Sequence, residues 1–524
     1  MKKIVFSFLS LILIFASFPV MNSHALPNGN SKGLEGRGIW LTPGYFMESP
    51  EDGIKAVDEI ADAGFNTIFL EMNRHGYAEY DSDILPIQEP YTEFDPAQLV
   101  LDRAKERGLE VHAYYHTLRN PYLVRNNPEW GMERVDREAK KAVVNGELTK
   151  SIDKINGSRS SNQLVMYTPE HGETTGTNIY GAEVIVDDGV VVHKETYVGN
   201  AAIPENGFVL SGTGAVRTWL EDNVQVGDTI TIEDNENALV SDTAWMEPGN
   251  EEVITEIKRH MEEILTKYDF DGFHFDHVRY PPTDGMVEYI FDYILEGNPS
   301  QWSTDVYGYS EGNRDRFESE YGVDPLDITV EDEELFLAWW DFRSDNITNL
   351  VSELTTYAKS FDEDLVMSAA LTVRPAYDDW DTMYSGVDYK KLSYPLDVMI
   401  PMAYHLNAGE AEFLFPGNRA MWIDHVTKGA LNNLDDRAML YMGIGGSTTV
   451  HEQWTSDVWN NTIDIARNAG AHGTVAFEYI ILTHHRGDTT NFESLSDDSY
   501  KTPAKPMHSV PGLLKSVREK SLNY

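Results

Sequence analysis

The feature that most constrains the fold is a regular alternation of short β-rich apolar runs with segments of helical periodicity. One such segment, from Val253 to Tyr268, spaces its apolar residues for a helix directly ahead of the fourth run. This alternation is typical of βαβ units and a parallel sheet. The sequence holds eight of these runs, which begin near Arg37, Thr67, Glu110, Asp271, Leu365, Asp397, Ala438 and Thr474.

Eight parallel strands with helices between them can close into a barrel or form a doubly wound open sheet. The open sheet usually carries a glycine-rich phosphate-binding turn, GxGxxG or GxxxxGK, and no such turn follows any predicted strand. We therefore predict an α/β fold, a (β/α)8 TIM barrel.

Two long gaps interrupt the run spacing. Between the third and fourth runs, alternating β-formers such as AEVIVDDGVVVHKE predict an inserted small all-β domain. Between the fourth and fifth, an amphipathic stretch from Glu333 to about Lys359 predicts a long helix. The predicted organisation is a signal peptide at 1–25, barrel segments at 34–150 and 246–495, the β-domain at 151–245 and a C-terminal tail at 496–524.

The amino-terminal residues predict export. Lys2 and Lys3 precede an apolar stretch that reaches about Val20, and Ser23 and Ala25 give a small-x-small cleavage site. We expect cleavage after about Ala25 and a secreted, extracellular chain; an uncleaved anchor is the alternative. No later segment has the roughly 18 uninterrupted apolar residues of a spanning helix, so no membrane is expected as a partner after cleavage.

Charge and cysteine content exclude further classes. The chain has 86 acidic and 41 basic residues and a formal net charge of −45. Such a surface repels nucleic acid and anionic membranes, so we expect no nucleic-acid partner. The chain has no cysteine, which excludes thiol chemistry and leaves stability to a large core or to bound ions.

The fourth run carries the sharpest candidate for chemistry. In DGFHFDHVRYPP, residues 271–282, period-two alternation puts His274 and Asp276 on the same inward side, with Asp276 nearer the carboxyl end of the strand. Active sites of such barrels lie at that end. An inward carboxylate there suits a glycosidase, which needs one to meet a positive centre or to activate water. A structural carboxylate that ties down the next loop is the alternative.

Glycoside hydrolysis generally needs a second carboxyl group across the sugar. Glu71 and Glu478 both follow apolar strand residues and are the candidates. A structural partner of Arg74 or of a histidine is an equally good interpretation of either glutamate, and the sequence does not rank the two.

Further polar and aromatic side chains end the predicted strands and could bind substrate. Aromatic rings suggest sugar platforms, although they are also ordinary barrel packing, and Tyr115 and Tyr479 are further candidates of this kind. No two of the histidines His112, His116, His274 and His277 form an HxxxH pair on a helix with a supporting glutamate, and their strand spacing suits hydrogen bonds to hydroxyls, so we expect neither a metal nor a cofactor. The predicted substrate-binding residues are Trp40, Asn73, Arg74, Tyr114, His116, His274, Arg279 and Tyr404.

Five motifs, taken in order, resemble one known family. They are RGIWLT at 37–42, FNTIFLEMNRHGYAEYDSDILP at 65–86, FDPAQLVLDRAKERGLEVHAYY at 94–115, DFDGFHFDHVRYPP at 269–282 and PLDVMIPMAY at 395–404. Together they resemble the glycosyl hydrolase-like 10 family, exported bacterial barrel proteins related to enzymes that cut peptidoglycan strands.

The resemblance implies a (β/α)8 fold, a glycan substrate and Asp276 as the acid of the fourth-strand motif. The chain departs from the family in two places: His277 and Val278 stand where a second acid and an aromatic residue are usual, and Glu71 stands where a glutamine-containing motif is usual.

Three functions remain to be weighed. The leading prediction is an exported glycoside hydrolase that cleaves a bacterial cell-wall glycan or exopolysaccharide by carboxylate acid/base catalysis. The alternatives are a non-catalytic carbohydrate-binding barrel of the cell envelope and a metal-dependent deacetylase or esterase.

Overall fold

The computed structural model describes residues 33–136, 139–157, 162–174, 180–197, 200–235, 238–281, 306–328, 332–377, 382, 384–446, 453–483 and 489–509. The predicted signal peptide, 1–25, lies outside the described residues. The chain forms two compact units, each built from separated segments. Within the described residues, the barrel unit comprises those at 33–120, 254–279 and 344–509, and the second unit those at 121–253 and 280–343.

The barrel unit contains a closed barrel of eight parallel strands, which confirms the predicted (β/α)8 architecture. The first strand closes the ring, because Gly38 pairs with Thr67 of the second strand and with Val475 of the last. Each strand begins within one residue of its predicted start. The strands are β1 (Gly36–Leu41), β2 (Thr67–Glu71), β3 (Glu110–His116), β4 (Gly272–Asp276), β5 (Val366–Leu371), β6 (Val398–Pro401), β7 (Met439–Gly445) and β8 (Gly473–Phe477).

The barrel strands are continuous apolar runs because both of their faces are covered. Every residue of β1, β2 and β4 is buried, as parallel sheets in α/β proteins require. The inward side chains fill the barrel with a packed core, which includes Trp40, Phe69, Tyr114, Ile400 and Tyr441. Side chains therefore fill the inside of the barrel below its mouth, the end where the strands reach their carboxyl termini.

Local signals fix where the helices begin and end. Ser49 and Asp52 form a capping box ahead of the helix Pro50–Asp62, and Asp95 caps the next helix by accepting a hydrogen bond from Ala97 N. Gly108 ends that helix in the left-handed conformation, φ 73°. The longer helices are Pro50–Asp62, Pro96–Arg107, Glu251–Lys267, Glu333–Lys359, Met421–Leu434, Ser456–Ala469 and Thr490–Asp497.

The long helix predicted in the second gap is confirmed, since Glu333–Lys359 is helical throughout. Short elements complete the barrel unit around the strand ends. They are the hairpin of Asn73–Arg74 with Tyr77–Ala78, the 3-10 helices Pro43–Tyr45 and Arg374–Ala376, and the short helices Tyr389–Leu392, Gly409–Leu414 and Tyr479–Leu482.

The predicted C-terminal tail supplies part of the barrel core. Lys505 pairs with Leu34 just ahead of β1, and Met507 is fully buried among the interior side chains. His508 contacts Tyr441 of β7 and Glu110 of β3. These contacts lie near the amino ends of the strands, so residues 505–508 cover the end of the barrel opposite its mouth.

The second unit is largely β-structure with its own core. A five-stranded sheet runs in the order Val190–Tyr197, Tyr180–Asp187, Gly207–Thr213, Leu164–Tyr167 and Lys154–Ile155. A three-stranded sheet has the order Ile230–Asp234, Lys140–Val144 and Leu148–Ile152. A two-stranded sheet pairs Ala238–Met246 with Gly131–Asp136.

The prediction of an inserted all-β domain at 151–245 is not confirmed. Gly214–Asn223 forms a helix inside that range, and its Val216 and Leu220 pack into the core of the second unit. The unit also begins earlier, at Pro121, and takes in the helices Pro121–Asn126 and Glu311–Tyr321. The sequence pattern failed here because a ten-residue helix between β-rich runs offers little periodicity.

Among the helices of the described residues, none combines the length and the apolar character needed to cross a membrane.

Candidate active site

A cavity of about 280 Å³ opens at the carboxyl ends of the barrel strands. This is the end where barrel enzymes place their chemistry. Its lining mixes charged, polar and aromatic side chains. The lining residues are Trp40, Thr42, Tyr45, Glu71, Arg74, His75, Tyr114, His116, Arg119, Asp276, His277, Arg279, Ala370, Met402, Tyr404 and Phe477.

Asp276, the last residue of β4, faces this cavity as predicted. Its Oδ2 accepts a hydrogen bond of 2.9 Å from the Tyr114 hydroxyl, and its Oδ1 accepts one of 2.6 Å from the backbone N–H of His277. The Arg279 Nη1 atom lies 3.5 Å from Oδ1. His277 adopts a left-handed backbone conformation, φ 56°, which turns the chain back over the carboxylate.

These neighbours hold Asp276 in its ionised form. Burial by itself would raise the pKa of the carboxyl group, but His277, Arg279 and His116 together lower the pKa below its usual range. Burial also lowers the pKa of His277, so the fixed positive charge beside Asp276 at neutral pH is the Arg279 guanidinium.

Close polar contacts link Asp276 to Glu71 by way of Tyr114 and His116. The Tyr114 hydroxyl oxygen also lies 3.0 Å from His116 Nε2, and His116 Nε2 lies 3.0 Å from Glu71 Oε1. Among the described residues, Nδ1 of His116 has no hydrogen-bond partner.

Arg74 organises a second group of acids at the rim. Its guanidinium stacks 3.5 Å from the centre of the Tyr45 ring, and it attracts Glu71, Glu79 and Glu478 electrostatically. Glu79 is buried and accepts a hydrogen bond of 3.1 Å from Gly44 N. Burial first, and then the nearby Glu71, raise the pKa of Glu79 well above its usual range.

Glu478 follows β8 and lies beside the cavity without lining it. It is 1% exposed, and its Oε2 accepts a hydrogen bond from the Thr42 hydroxyl, which does line the cavity. Burial raises the pKa of Glu478 to about 8, and the nearby Glu71 adds to the shift. This carboxyl group is therefore protonated at neutral pH.

The structure brings most of the predicted site residues together. The cavity is lined by Trp40, Glu71, Arg74, Tyr114, His116, Asp276, Arg279 and Tyr404. Phe477 stacks on Tyr404 with ring centres 5.3 Å apart, so these two rings form an aromatic wall.

Two predicted substrate-binding residues do not line the cavity. His274 is fully buried beneath it, where Nε2 accepts a hydrogen bond from Trp40 Nε1 and Nδ1 contacts Ser368 Oγ. Burial lowers the pKa of His274 to about 3, so the ring is neutral. Asn73 is also fully buried and hydrogen-bonds both backbone groups of His116. Both residues position their neighbours.

Two suggested sugar platforms face away from the cavity. The Tyr115 hydroxyl lies 2.5 Å from His260 Nδ1 on the helical side of β3, and the Tyr479 hydroxyl donates to Glu59 of the helix Pro50–Asp62. The side chains of their neighbours in sequence, Tyr114 and Glu478, point toward the inside of the barrel.

Sequence reasoning missed several residues at the mouth. Tyr45, His75 and Arg119 stand in connections after strands, where no periodicity indicates direction. His277 was considered only as one of the histidines whose spacing suits hydrogen bonds to hydroxyls, and its place directly after Asp276 was the signal that it lies at the mouth. Glu79 gave no signal, because its hairpin forms no part of the strand pattern.

One cluster at the mouth offers metal-ligand atoms. His116, Asp276 and His277 each place one such atom within 4.8 Å of the others. The Arg279 guanidinium beside Asp276 opposes a cation there, since like charges at this distance repel.

The sequence model of the glycosyl hydrolase-like 10 family matches residues 221–391. The resemblance inferred from the five motifs is thereby confirmed over these residues, which include β4 and Asp276.

Curated relatives carry the same kind of name. Glycosyl hydrolase DigH of Escherichia coli is 35% identical over 88 residues, 16% of this chain and 19% of the relative, and the protein of that name in Shigella flexneri matches equally. The chain thus spans about a fifth of the length of these relatives.

A solved structure shares the fold. The PgaB (BpsB) glycoside hydrolase domain from Bordetella bronchiseptica superposes with a TM-score of 0.52 over 88% of this chain and 99% of that domain. The two sequences are 11% identical, so this likeness establishes the fold alone.

Proposed function

We propose that the chain is a glycoside hydrolase whose active site is the cavity at the barrel mouth. The observation that carries the proposal is the Asp276 carboxylate, which faces this cavity and is held ionised by Tyr114, Arg279 and the His277 N–H. A fixed negative charge at this point suits the oxocarbenium-like transition state of glycoside hydrolysis, either as nucleophile or as a stabilising or basic group.

The second carboxyl group of the mechanism is Glu478. Its raised pKa keeps the proton at neutral pH, and the pairing of one ionised with one protonated carboxyl group is the arrangement that acid-assisted glycosidases use. The Thr42 hydroxyl connects Glu478 to the cavity. In the proton transfer, the Thr42 oxygen accepts the proton of Glu478 as the Thr42 hydroxyl hydrogen passes to the leaving group, which leaves Glu478 ionised. Glu71 lines the cavity directly and is the alternative proton donor.

The proposed substrate is a glycan of the bacterial cell wall or an exopolysaccharide, reached after export of the chain. The aromatic wall of Tyr404 and Phe477 offers an apolar face for a sugar ring. Arg74, Arg119 and Arg279 also line the cavity, so carboxylate-bearing sugars belong among the substrates to be tested.

The experiment is incubation of the purified chain with neutral, N-acetylated and carboxylate-bearing bacterial glycans, with the products read by mass spectrometry. We expect chain cleavage, and we expect Asp276→Asn to reduce turnover by roughly a thousandfold or more. Asp269→Asn is the matched control, because Asp269 is 98% exposed on the surface. Equal turnover by the Asp276→Asn and control variants would remove Asp276 from the mechanism.

A non-catalytic glycan-binding barrel is the second candidate. The observation that favours it is the burial of Glu478, which does not line the cavity. It predicts equilibrium binding of a glycan oligomer by the wild-type chain with no new product after prolonged incubation. A cleaved product that disappears in Asp276→Asn would eliminate this candidate.

A further inference from the structure

A second cluster of ligand-type side chains lies at the opposite end of the barrel from the active site. Glu110, His112 and His508 each offer one ligand atom, and these atoms all lie within 4.8 Å of one another. Glu110 and His112 share one face of β3, and His508 arrives from the C-terminal segment. The cluster therefore joins β3 to the C-terminal segment at the end of the barrel opposite the mouth, which we call the barrel floor.

The hydrogen bonding of this cluster is incomplete. His112 is fully buried, yet neither its Nδ1 nor its Nε2 has a hydrogen-bond partner in the part of the chain that the structure describes. Its Nε2 lies 4.0 Å from Glu110 Oε2, too far for a hydrogen bond. A buried imidazole usually satisfies at least its N–H, because an unpaired buried polar group costs about 1 to 3 kcal/mol. The N–H of this ring needs an acceptor, and its lone pair needs a proton donor or a metal ion.

We propose that Glu110, His112 and His508 bind a divalent transition metal ion, with Zn²⁺ as the best fit. Two imidazoles and one carboxylate form a ligand set that Zn²⁺ accepts, with water in the fourth tetrahedral position. Tetrahedral bonds of about 2.0 to 2.2 Å place neighbouring ligand atoms about 3.4 Å apart. In the structure, Glu110 Oε2 lies 2.7 Å from His508 Nε2 and 4.0 Å from His112 Nε2. One separation is therefore shorter than this value and the other is longer.

The surroundings orient His508 for this role. Its Nδ1 lies 2.8 Å from the Tyr441 hydroxyl oxygen, which can accept the ring proton and leave the Nε2 lone pair for the metal. Metal-binding histidines typically make such a second hydrogen bond. The absence of a side chain at Gly36 leaves room for the Tyr441 ring, because a Cβ atom at position 36 would lie 2.1 Å from that ring.

The bound ion would tie the C-terminal segment to β3. A chain without cysteine has no disulfide to make this link, and Met507, adjacent to His508, is part of the barrel core. The proposal differs from the expectation of a metal-free chain, which rested on sequence spacing. His508 stands 396 positions after His112 in the sequence, so no local pattern could indicate that the two residues share a site.

The test is metal binding by the full chain, prepared without a histidine tag and first treated with a chelator. Zn²⁺ alone is titrated calorimetrically, and Co²⁺ is added separately so that the visible spectrum reports coordination geometry. We expect one Zn²⁺ per chain, a tetrahedral Co²⁺ spectrum that Zn²⁺ abolishes, and a Zn²⁺-dependent rise in Tm. His508→Gln and Glu110→Gln should each weaken Zn²⁺ binding by roughly a hundredfold.

Two control variants locate the ion. His193→Gln changes an exposed histidine of the second unit, and Zn²⁺ binding should be unaffected. His277→Gln removes a ligand from the cluster at the mouth, and Zn²⁺ binding should again persist. Loss of binding in His277→Gln but not in His508→Gln would place the metal at the mouth and overturn the proposal, as would the absence of any Co²⁺ spectrum in the wild-type chain.

Discussion

The two ends of the barrel hold the same types of side chain in different surroundings. Each end has two histidines and one carboxyl group whose ligand atoms lie within 4.8 Å of one another. At the mouth, Arg279 and the Tyr114 hydroxyl satisfy Asp276 and fix its charge. At the floor, no described residue hydrogen-bonds either ring nitrogen of His112.

This difference indicates that the neighbours of a cluster, more than its composition, decide its chemistry. A guanidinium beside a carboxylate stabilises the anion and repels other cations, which suits a catalytic carboxylate. Unsatisfied lone pairs beside a carboxylate attract a cation, which suits a metal ion. Changes at the mouth should therefore affect turnover, and changes at the floor should affect stability.

After Asp276→Asn, the largest effect is expected from Glu478→Gln on activity. Loss of the proposed proton donor should lower kcat/KM for natural glycans by roughly 100- to 1000-fold. The wild-type kcat/KM should fall above about pH 8, where Glu478 loses its proton, and the variant should lack this alkaline limb. Aryl glycosides with good leaving groups, which need no proton, should be cleaved by the variant at nearly the wild-type rate. A wild-type alkaline limb that survives in Glu478→Gln would transfer the acid role to Glu71 or to another group.

The second prediction tests the floor. Met507→Ala should lower the free energy of unfolding by about 2 to 4 kcal/mol, because Met507 is fully buried in the barrel core. Urea denaturation measures this change. Met421→Ala, at an exposed position, is the matched control and should cost less than about 1 kcal/mol. Turnover by Met507→Ala at a temperature where the chain is folded should stay within about twofold of wild type; a large loss would show that the two ends are coupled.

The third prediction concerns the dependence of stability on pH. The pKa of Glu478 is about 8 in the folded chain and near 4.5 when unfolded, so its contribution to stability is complete below about pH 4.5 and is lost as the pH rises to about 8. Over this window the wild-type chain should lose up to about 4 kcal/mol that Glu478→Gln does not lose. The difference in Tm between the variant and the wild type should therefore shift in favour of the variant from pH 5 to pH 8. An unchanged difference would mean that Glu478 is ionised in the folded chain.

The smallest effect is expected from Tyr114→Phe. Removal of the hydroxyl takes one hydrogen bond from the ionised Asp276, so the pKa of Asp276 should rise and the acid limb of kcat/KM should move to higher pH. We expect a loss of about tenfold in kcat with a small change in Tm, measured by pH–rate profiles and thermal unfolding. An acid limb at the wild-type position would show that Arg279 and the His277 N–H suffice to hold the charge.

Much of the fold could be predicted from the sequence, because its signals are local. The apolar runs placed all eight strand starts within one residue, and period-two alternation correctly placed His274 and Asp276 on the inward side of β4. The helix Gly214–Asn223 was missed, since it is only ten residues long and lies between β-rich runs.

The site could be predicted only in part. Strand-end residues such as Trp40 and Tyr404 were found because the barrel topology fixes where each strand ends. The rim residues Tyr45 and Arg119 were not found, because connections between elements carry no periodicity. The sequence pattern also does not distinguish side chains that line the cavity from buried side chains that position the lining residues. For this reason His274 and Asn73 were expected to bind substrate.

The sequence by itself determined the barrel, its order of strands and the inward carboxylate at position 276, because each depends on spacing along a few neighbouring residues. Tertiary structure alone decided which carboxyl group keeps its proton and where histidines meet. Burial raises the pKa of Glu478 to about 8, and the nearby Glu71 adds to the shift. His112 meets His508 because the C-terminal segment covers the barrel floor. Burial and long-range proximity set the proton affinity of these groups, and both arise only when distant segments pack together.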